Sequence, residues 1–151
     1  MANTQAMCSS FKSELLQAYH NFGTAPTRGT SAADTFKAAL YLTTATINST
    51  TTAYTATGEV SGTNYTAGGV TVTNGVGPTY SGTTAYWTPS ASITYTTVTL
   101  STSFDCVLIY NSTQGNRSVS AHTFGAQTVT AGTFTLTMPT NDTTNALIRL
   151  A

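Results

Sequence analysis

The sequence predicts a mainly β protein: an antiparallel β-sandwich or jelly roll of about seven or eight strands, with one short N-terminal amphipathic helix. Threonine is abundant, and β-branched residues favour pleated sheet over helix. Short apolar or alternating segments are separated by Gly, Pro, Asn and Ser turn signals about every 8–12 residues. At 151 residues, the chain is long enough to bury one sizeable core.

The N-terminal region is predicted to contain a flexible arm, residues 1–9, followed by a single β-sandwich domain, residues 10–151. Gly23 is well placed to end a helix that spans residues 10–22. Four apolar or aromatic side chains fall at helical spacing in that range: Phe11, Leu15, Tyr19 and Phe22. Two interpretations of the helix remain open, a cap on one end of the sheets or an arm that docks on a partner subunit.

The strands are predicted from apolar content and turn residues. The first, Phe36–Leu42, alternates so that every second residue shares a face. Residues 43–58 have little apolar content and predict a long loop. Residues 104–111 are nearly continuously apolar, which is typical of a central strand covered on both faces. The other strands are predicted at 70–73, 84–88, 92–100, 117–124, 133–138 and 146–150.

Charge is scarce along the chain. Only 7% of residues are charged, and the net charge is 0. The five basic residues are scattered, so no nucleic-acid partner is expected. No apolar run approaches the roughly 20 residues that cross a bilayer, and the N-terminus lacks the pattern of a signal peptide. Such a near-neutral surface suits a chain that is packed against other protein.

Candidate chemistry is sparse, so the sequence predicts no enzyme, no cofactor and no metal site. The two histidines, His20 and His122, are expected to be structural, and no nucleophile elbow or phosphate-binding loop occurs. Glu59 is expected to form an ion pair with Lys37 or Arg117 because so few charges surround it in the sequence. The many tyrosines either fill the core or an interface, or they stack on sugars.

The two cysteines, Cys8 and Cys106, are far apart in the sequence. Because the chain has no export feature, two free thiols are expected rather than a disulfide.

Five segments in order along the chain resemble a family of small virion proteins of tailed bacteriophages, the capsid cementing (decoration) proteins. They are CSSFK (Cys8–Lys12), DTFKAALY (Asp34–Tyr41), TAYTATGEVSGTNYTAGG (Thr52–Gly69), LIYNST (Leu108–Thr113) and TNALIRLA (Thr144–Ala151). The resemblance implies a β-sandwich or jelly roll, made in the bacterial cytoplasm and located on the outer surface of the capsid. There it would bridge neighbouring major capsid protein subunits as a homodimer or homotrimer.

Two alternative functions stay open. One is a structural protein of the phage neck or tail, and the other is a glycan- or receptor-binding module of a phage fibre. The resemblance supplies no catalytic residues to carry over.

The predicted interface comprises the N-terminal segment (the arm and helix, about residues 1–22) and the loop 52–69, since both are more apolar or aromatic than a sandwich core requires. The hypothesis names seven residues: Phe11, Leu15, Tyr19, Phe22, Tyr54, Glu59 and Tyr65.

Overall fold

The computed structural model describes residues 2–16, 19–22 and 33–151, and in this part of the chain it confirms the predicted fold class. Two antiparallel sheets of five and three strands accompany one short helix. The elements are β1 (Ala6–Met7), α1 (Ser9–Leu16), β2 (Phe36–Leu42), β3 (Val70–Thr71), β4 (Thr79–Ser81), β5 (Thr84–Trp87), β6 (Ile93–Asn111), β7 (Arg117–Leu136) and β8 (Ile148–Leu150).

A long hairpin of β6 and β7 dominates the fold, with 19 and 20 residues in its two strands. The sequence predicted four separate strands here, and that prediction is wrong. The strands stay paired from Ile93↔Leu136 to Asn111↔Arg117, with register shifts in between. Thr97 and Ala131 take positive φ angles of 53° and 46° at two of these shifts. Such β-bulges bend a strand without ending it.

The larger sheet has the order β1-β7-β6-β2-β3. Its centre is the second half of β6, which pairs with β2 on one side and β7 on the other. Every residue from Cys106 to Asn111 is buried, which confirms the predicted central strand. The strand β2 has the predicted bounds, and its residues Ala38 to Tyr41 are also buried.

The first half of β6 folds back over β2. In a straight strand Tyr95 would lie roughly 45 Å from Ile109 at about 3.3 Å per residue. Ile109 is the ladder partner of Ala38, yet the Tyr95 hydroxyl donates a hydrogen bond to the Ala38 carbonyl oxygen at 2.8 Å. The bend in the hairpin therefore brings Tyr95 back against β2, although both hairpin strands belong to the larger sheet.

The N-terminal segment is attached to the larger sheet rather than forming a free arm. Ala6 and Met7 pair with β7, and the Thr4 amide donates to the Ile47 carbonyl oxygen at 2.9 Å. The Asn3 side chain donates to the Leu42 carbonyl oxygen at 3.1 Å and to Asp105 Oδ1 at 2.7 Å.

The helix α1 is shorter than predicted. It ends at Leu16, and residues 19–22 are not helical, although the predicted range ran to residue 22. The predicted stop at Gly23 lies outside the described residues. Helical spacing misled the prediction because Phe22 is buried by contacts with aromatic rings of the strands rather than by a helical face. No helix in the described part of the chain is long and apolar enough to cross a membrane.

The smaller sheet has the order β4-β5-β8. Gly82, with φ of 59°, lies in the tight turn between β4 and β5. The sequence predicted strands close to β5 and β8 but missed β4, because Gly-Pro and Ser-Gly turn signals flank its three residues.

Candidate interaction surface

The apolar residues of the predicted N-terminal interface pack mainly against the chain's own core. Phe11 is 1% exposed and Phe22 is 7% exposed. The ring of Phe22 stacks on Phe36, with centroids 4.4 Å apart, and lies 4.7 Å from the ring of Trp87. These contacts dock α1 and residues 19–22 on the sheets, whereas Leu15 is half-buried and Tyr19 is 38% exposed.

A polar cluster lies beside these rings and joins the N-terminal segment to β7. One Glu14 carboxylate oxygen is 2.8 Å from His20 Nε2, and the other accepts a hydrogen bond from Arg117 at 2.6 Å. The Arg117 guanidinium also lies over the ring of Tyr19, 4.3 Å from its centroid. Glu14 and its partner Arg117 therefore connect α1 to the start of β7.

Glu59 organises the loop 52–69, but not by the predicted ion pair. Its carboxylate accepts hydrogen bonds from Tyr54 Oη at 2.6 Å, Tyr65 Oη at 2.8 Å and the Gly68 amide at 2.8 Å. The prediction of a pair with Arg117 or Lys37 is wrong, since Arg117 pairs with Glu14 and Glu59 is occupied by uncharged donors.

The tyrosines of this loop face the sheet. The Leu40 amide donates to Tyr65 Oη at 3.0 Å, and the ring of Tyr54 stacks on Tyr110 with centroids 4.9 Å apart. Burial, followed by the hydrogen bond and charge of Glu59, raises the pKa of Tyr54 to about 12. The structure therefore brings Tyr54, Glu59 and Tyr65 together as a half-buried, hydrogen-bonded cluster that connects the loop 52–69 to the larger sheet.

The most exposed large apolar side chain lies on the smaller sheet instead. Tyr80 is 77% exposed, and Leu150 is 41% exposed. Tyr80 pairs with Ala85, which in turn pairs with Leu150, so the three residues form one row across the sheet. Directly paired residues of antiparallel strands share a face. We call this row (Tyr80, Ala85, Leu150) the small-sheet surface.

An apolar groove of about 90 Å³ adjoins the small-sheet surface. Its walls come from α1, the loop before β4, and the strands β5 and β8. Six of its lining residues are Phe11, Leu15, Pro78, Ala85, Trp87 and Leu150. Sequence reasoning missed this surface because β4, which carries Tyr80, has only three residues. The available signal was a tyrosine between the Gly77-Pro78 and Ser81-Gly82 turn pairs.

A wider cleft of about 590 Å³ opens on another side of β8, lined by polar groups that include Asn145, Arg149 and His122. Burial lowers the pKa of His122 to about 4, so its imidazole is neutral near pH 7. These groups can donate and accept hydrogen bonds to a small polar ligand.

The structure confirms free thiols at both cysteines. Cys8 and Cys106 are buried and unpaired. Burial raises the pKa of Cys8 to about 11 and that of Cys106 to about 12, which keeps both protonated. Among the described residues, no three or more His, Cys, Asp or Glu side chains are arranged to hold a metal ion.

The fold and the surface together define an antiparallel β protein with an exposed apolar row beside a groove. Comparison with protein-family models, curated proteins and solved structures finds no match to this chain.

Proposed function

We propose that this protein is a structural component of a tailed-bacteriophage virion, a cement protein that bridges neighbouring major capsid protein subunits on the outer surface of the head. The resemblance of five sequence segments to cementing proteins supports the proposal. The observation that carries it is the small-sheet surface, an exposed apolar row with a groove beside it on a chain of net charge 0. In this proposal the protein acts by binding, without catalysis.

The energetics of such a surface suit repeated weak contacts. Apolar burial contributes about 25 cal/mol per Å², so a row of three side chains supports only a modest affinity for one site. Many copies on one shell, joined as homodimers or homotrimers, would act together through multivalency. A chain with few charges also avoids like-charge repulsion between closely packed copies.

The direct test is co-sedimentation of purified protein with phage heads that were assembled without it. We expect Tyr80→Ser to weaken binding by about tenfold, equivalent to about 1.4 kcal/mol, because it removes the most exposed apolar ring. Thr133→Ser is the control, since Thr133 is an exposed residue of β7, a strand of the larger sheet. Equal binding by wild type and Tyr80→Ser would refute the role of this surface.

A second variant tests the alternative interface on the N-terminal segment. Tyr19→Ser removes the most exposed aromatic ring of the seven residues first predicted. If Tyr19→Ser abolished binding while Tyr80→Ser did not, the contact would lie beside α1. Binding to host polysaccharide but not to heads would instead favour a fibre module, and the cleft lined by Asn145 and Arg149 would be its first candidate site.

A further inference from the structure

His20 occupies a buried position between the N-terminal segment and the larger sheet. Its side chain has no solvent exposure. The imidazole packs edge-on against Phe11, with centroids 4.8 Å apart, and lies 6.4 Å from the ring of Phe36 with 28° between the ring planes. Its two nitrogens face different elements: Nε2 faces Glu14 of α1, and Nδ1 faces Asn111 at the end of β6.

The hydrogen bonds of Asn111 determine which nitrogen of His20 carries the proton. Asn111 Oδ1 accepts from the amides of Thr113 at 3.1 Å and Gln114 at 3.2 Å, so the oxygen end of this side chain is assigned. Asn111 Nδ2 then donates to Asp34 Oδ2 at 2.7 Å and faces His20 Nδ1 at 3.1 Å. Because Nδ2 is only a donor, Nδ1 must be the acceptor. The single proton is therefore on Nε2 and is donated to Glu14.

A second proton on His20 would disrupt this arrangement. It would have to sit on Nδ1, where it would point at the amide donor of Asn111. Rotating that amide would place its oxygen against Asp34 and its nitrogen against the amides of Thr113 and Gln114. The hydrogen bonds around His20 therefore stabilise the neutral imidazole and destabilise the protonated imidazolium.

The surrounding charges act in both directions on His20. Burial is the largest influence and lowers the pKa of the imidazole. The carboxylates of Glu14, on α1, and Asp34, before β2, raise the pKa, whereas Arg117, on β7, lowers it. The net direction is below the ordinary value of 6.5, in agreement with the hydrogen-bond geometry.

We propose that Glu14, His20, Asp34, Asn111 and Arg117 form an acid-sensitive latch that holds α1 and residues 19–22 on the sheets and releases them when His20 is protonated. We call this cluster the His20 latch. It does not depend on the proposed function. An eight-residue helix is marginal by itself in water, so α1 depends on this docking. Release would uncover Phe36 and Trp87, which Phe22 covers in the latched state.

The direction of the pH effect follows from proton linkage. In the released segment His20 has its ordinary pKa of 6.5, whereas the latched form holds a lower one. The released form therefore binds the proton first as the pH falls. The contribution of His20 to docking is complete above pH 6.5 and is lost progressively as the pH falls below it.

Trp87 provides the reporter, because it is the only tryptophan and is 2% exposed beside Phe22. We would titrate wild type, His20→Gln and His122→Gln from about pH 8 to about pH 4.5, recording tryptophan emission and far-UV circular dichroism. Glutamine keeps a neutral donor toward Glu14 but cannot take up a proton. His122→Gln is the control, since His122 is the other histidine of the chain and is hydrogen-bonded to Ser120, outside the cluster around His20.

We expect a red shift of Trp87 emission below pH 6.5 in wild type and His122→Gln, with the β-sheet signal retained, and no shift in His20→Gln. An equal shift in His20→Gln, or simultaneous loss of the sheet signal, would overturn the proposal. If His20→Gln does not fold, nitrogen-15 NMR of wild type decides. The latch requires the Nε2–H tautomer near pH 7 and a titration midpoint below 6.5, and any other result contradicts it.

Discussion

At the scale of single residues, Glu59 shows how one carboxylate can order a loop that has little apolar content. Two tyrosine hydroxyls and one amide converge on it, and Tyr65 also accepts a hydrogen bond from β2. Tyr54 and Tyr65 were predictable as aromatic features of the loop. Their shared acceptor was not, because hydrogen-bond partners within a loop depend on its folded path.

Glu59→Gln is expected to lower the free energy of unfolding by about 1–3 kcal/mol. The amide nitrogen of Gln is a donor, so it cannot accept hydrogen bonds from the tyrosine hydroxyls and the Gly68 amide as the carboxylate oxygens do. Urea unfolding measures the change. The comparison is Asp142→Asn, an acid-to-amide change at a carboxylate whose hydrogen bonds from Thr144 and Asn145 are exposed to solvent. A larger loss there than at Glu59 would contradict the account.

Two glycines with similar backbone angles provide a second residue-scale prediction. Gly69 has φ of 71° and Gly115 has φ of 65°. A Cβ at Gly69 would overlap the Ala38 carbonyl oxygen, whereas one at Gly115 would meet nothing within 4 Å. We expect Gly115→Ala to cost about 1–2 kcal/mol from φ alone, and Gly69→Ala at least about 3 kcal/mol. Thermal unfolding compares them, and equal losses would show that the overlap relaxes freely.

At the scale of elements, the β6–β7 hairpin explains both the successes and the misses of sequence reasoning. Apolar continuity correctly predicted the second half of β6, at the centre of the larger sheet, since burial on both faces leaves a local pattern. The prediction left residues 101–103 (STS) and 125–132 (GAQTVTAG) between strands. Both strands continue through these stretches with register shifts, and the ladder resumes at Phe104↔Gln127, because pairing depends on the partner strand rather than on local composition.

Ala131 tests the role of these bulges. Because its φ is 46°, Ala131→Gly should relieve backbone strain and raise the free energy of unfolding by up to about 1 kcal/mol. The same change at Ala126, an exposed residue of β7 without a positive φ, should lower it by about 0.5–1 kcal/mol. Chemical denaturation of the two variants should therefore give opposite signs. Destabilisation by both would mean that the bulge carries no strain.

At the scale of the whole molecule, the N-terminal residues are part of the fold, which changes what a truncation should do. Deleting residues 2–8 removes β1, the Asn3 hydrogen bonds and the buried Cys8. We expect a loss of about 2–5 kcal/mol in the free energy of unfolding. Calorimetry measures it, and an unchanged midpoint would indicate that these contacts do not stabilise the sheet.

The candidate surface was less predictable than the fold. Apart from Glu59, the seven residues first selected for an interface were conspicuous aromatic and apolar residues outside the strands, and Phe11 and Phe22 are buried in the chain's own core. Composition cannot distinguish an aromatic residue that covers the core from one that faces outward. The register of β4, β5 and β8 places Tyr80 beside Ala85 and Leu150, on the face that also carries the buried Trp87 and Ile148. The 77% exposure of Tyr80 shows that the core does not cover this end of the row.

The central claim, that this chain cements a phage head through its small-sheet surface, is tested most directly by cryo-electron microscopy of heads to which the protein has been added. The account predicts density at every symmetry-related position between capsomers, with the row of Tyr80, Ala85 and Leu150 turned toward the major capsid protein. Density at a single vertex would assign the protein to the neck or tail and contradict the cement role. If the heads show no added density, the protein does not bind the capsid and the proposed function is wrong.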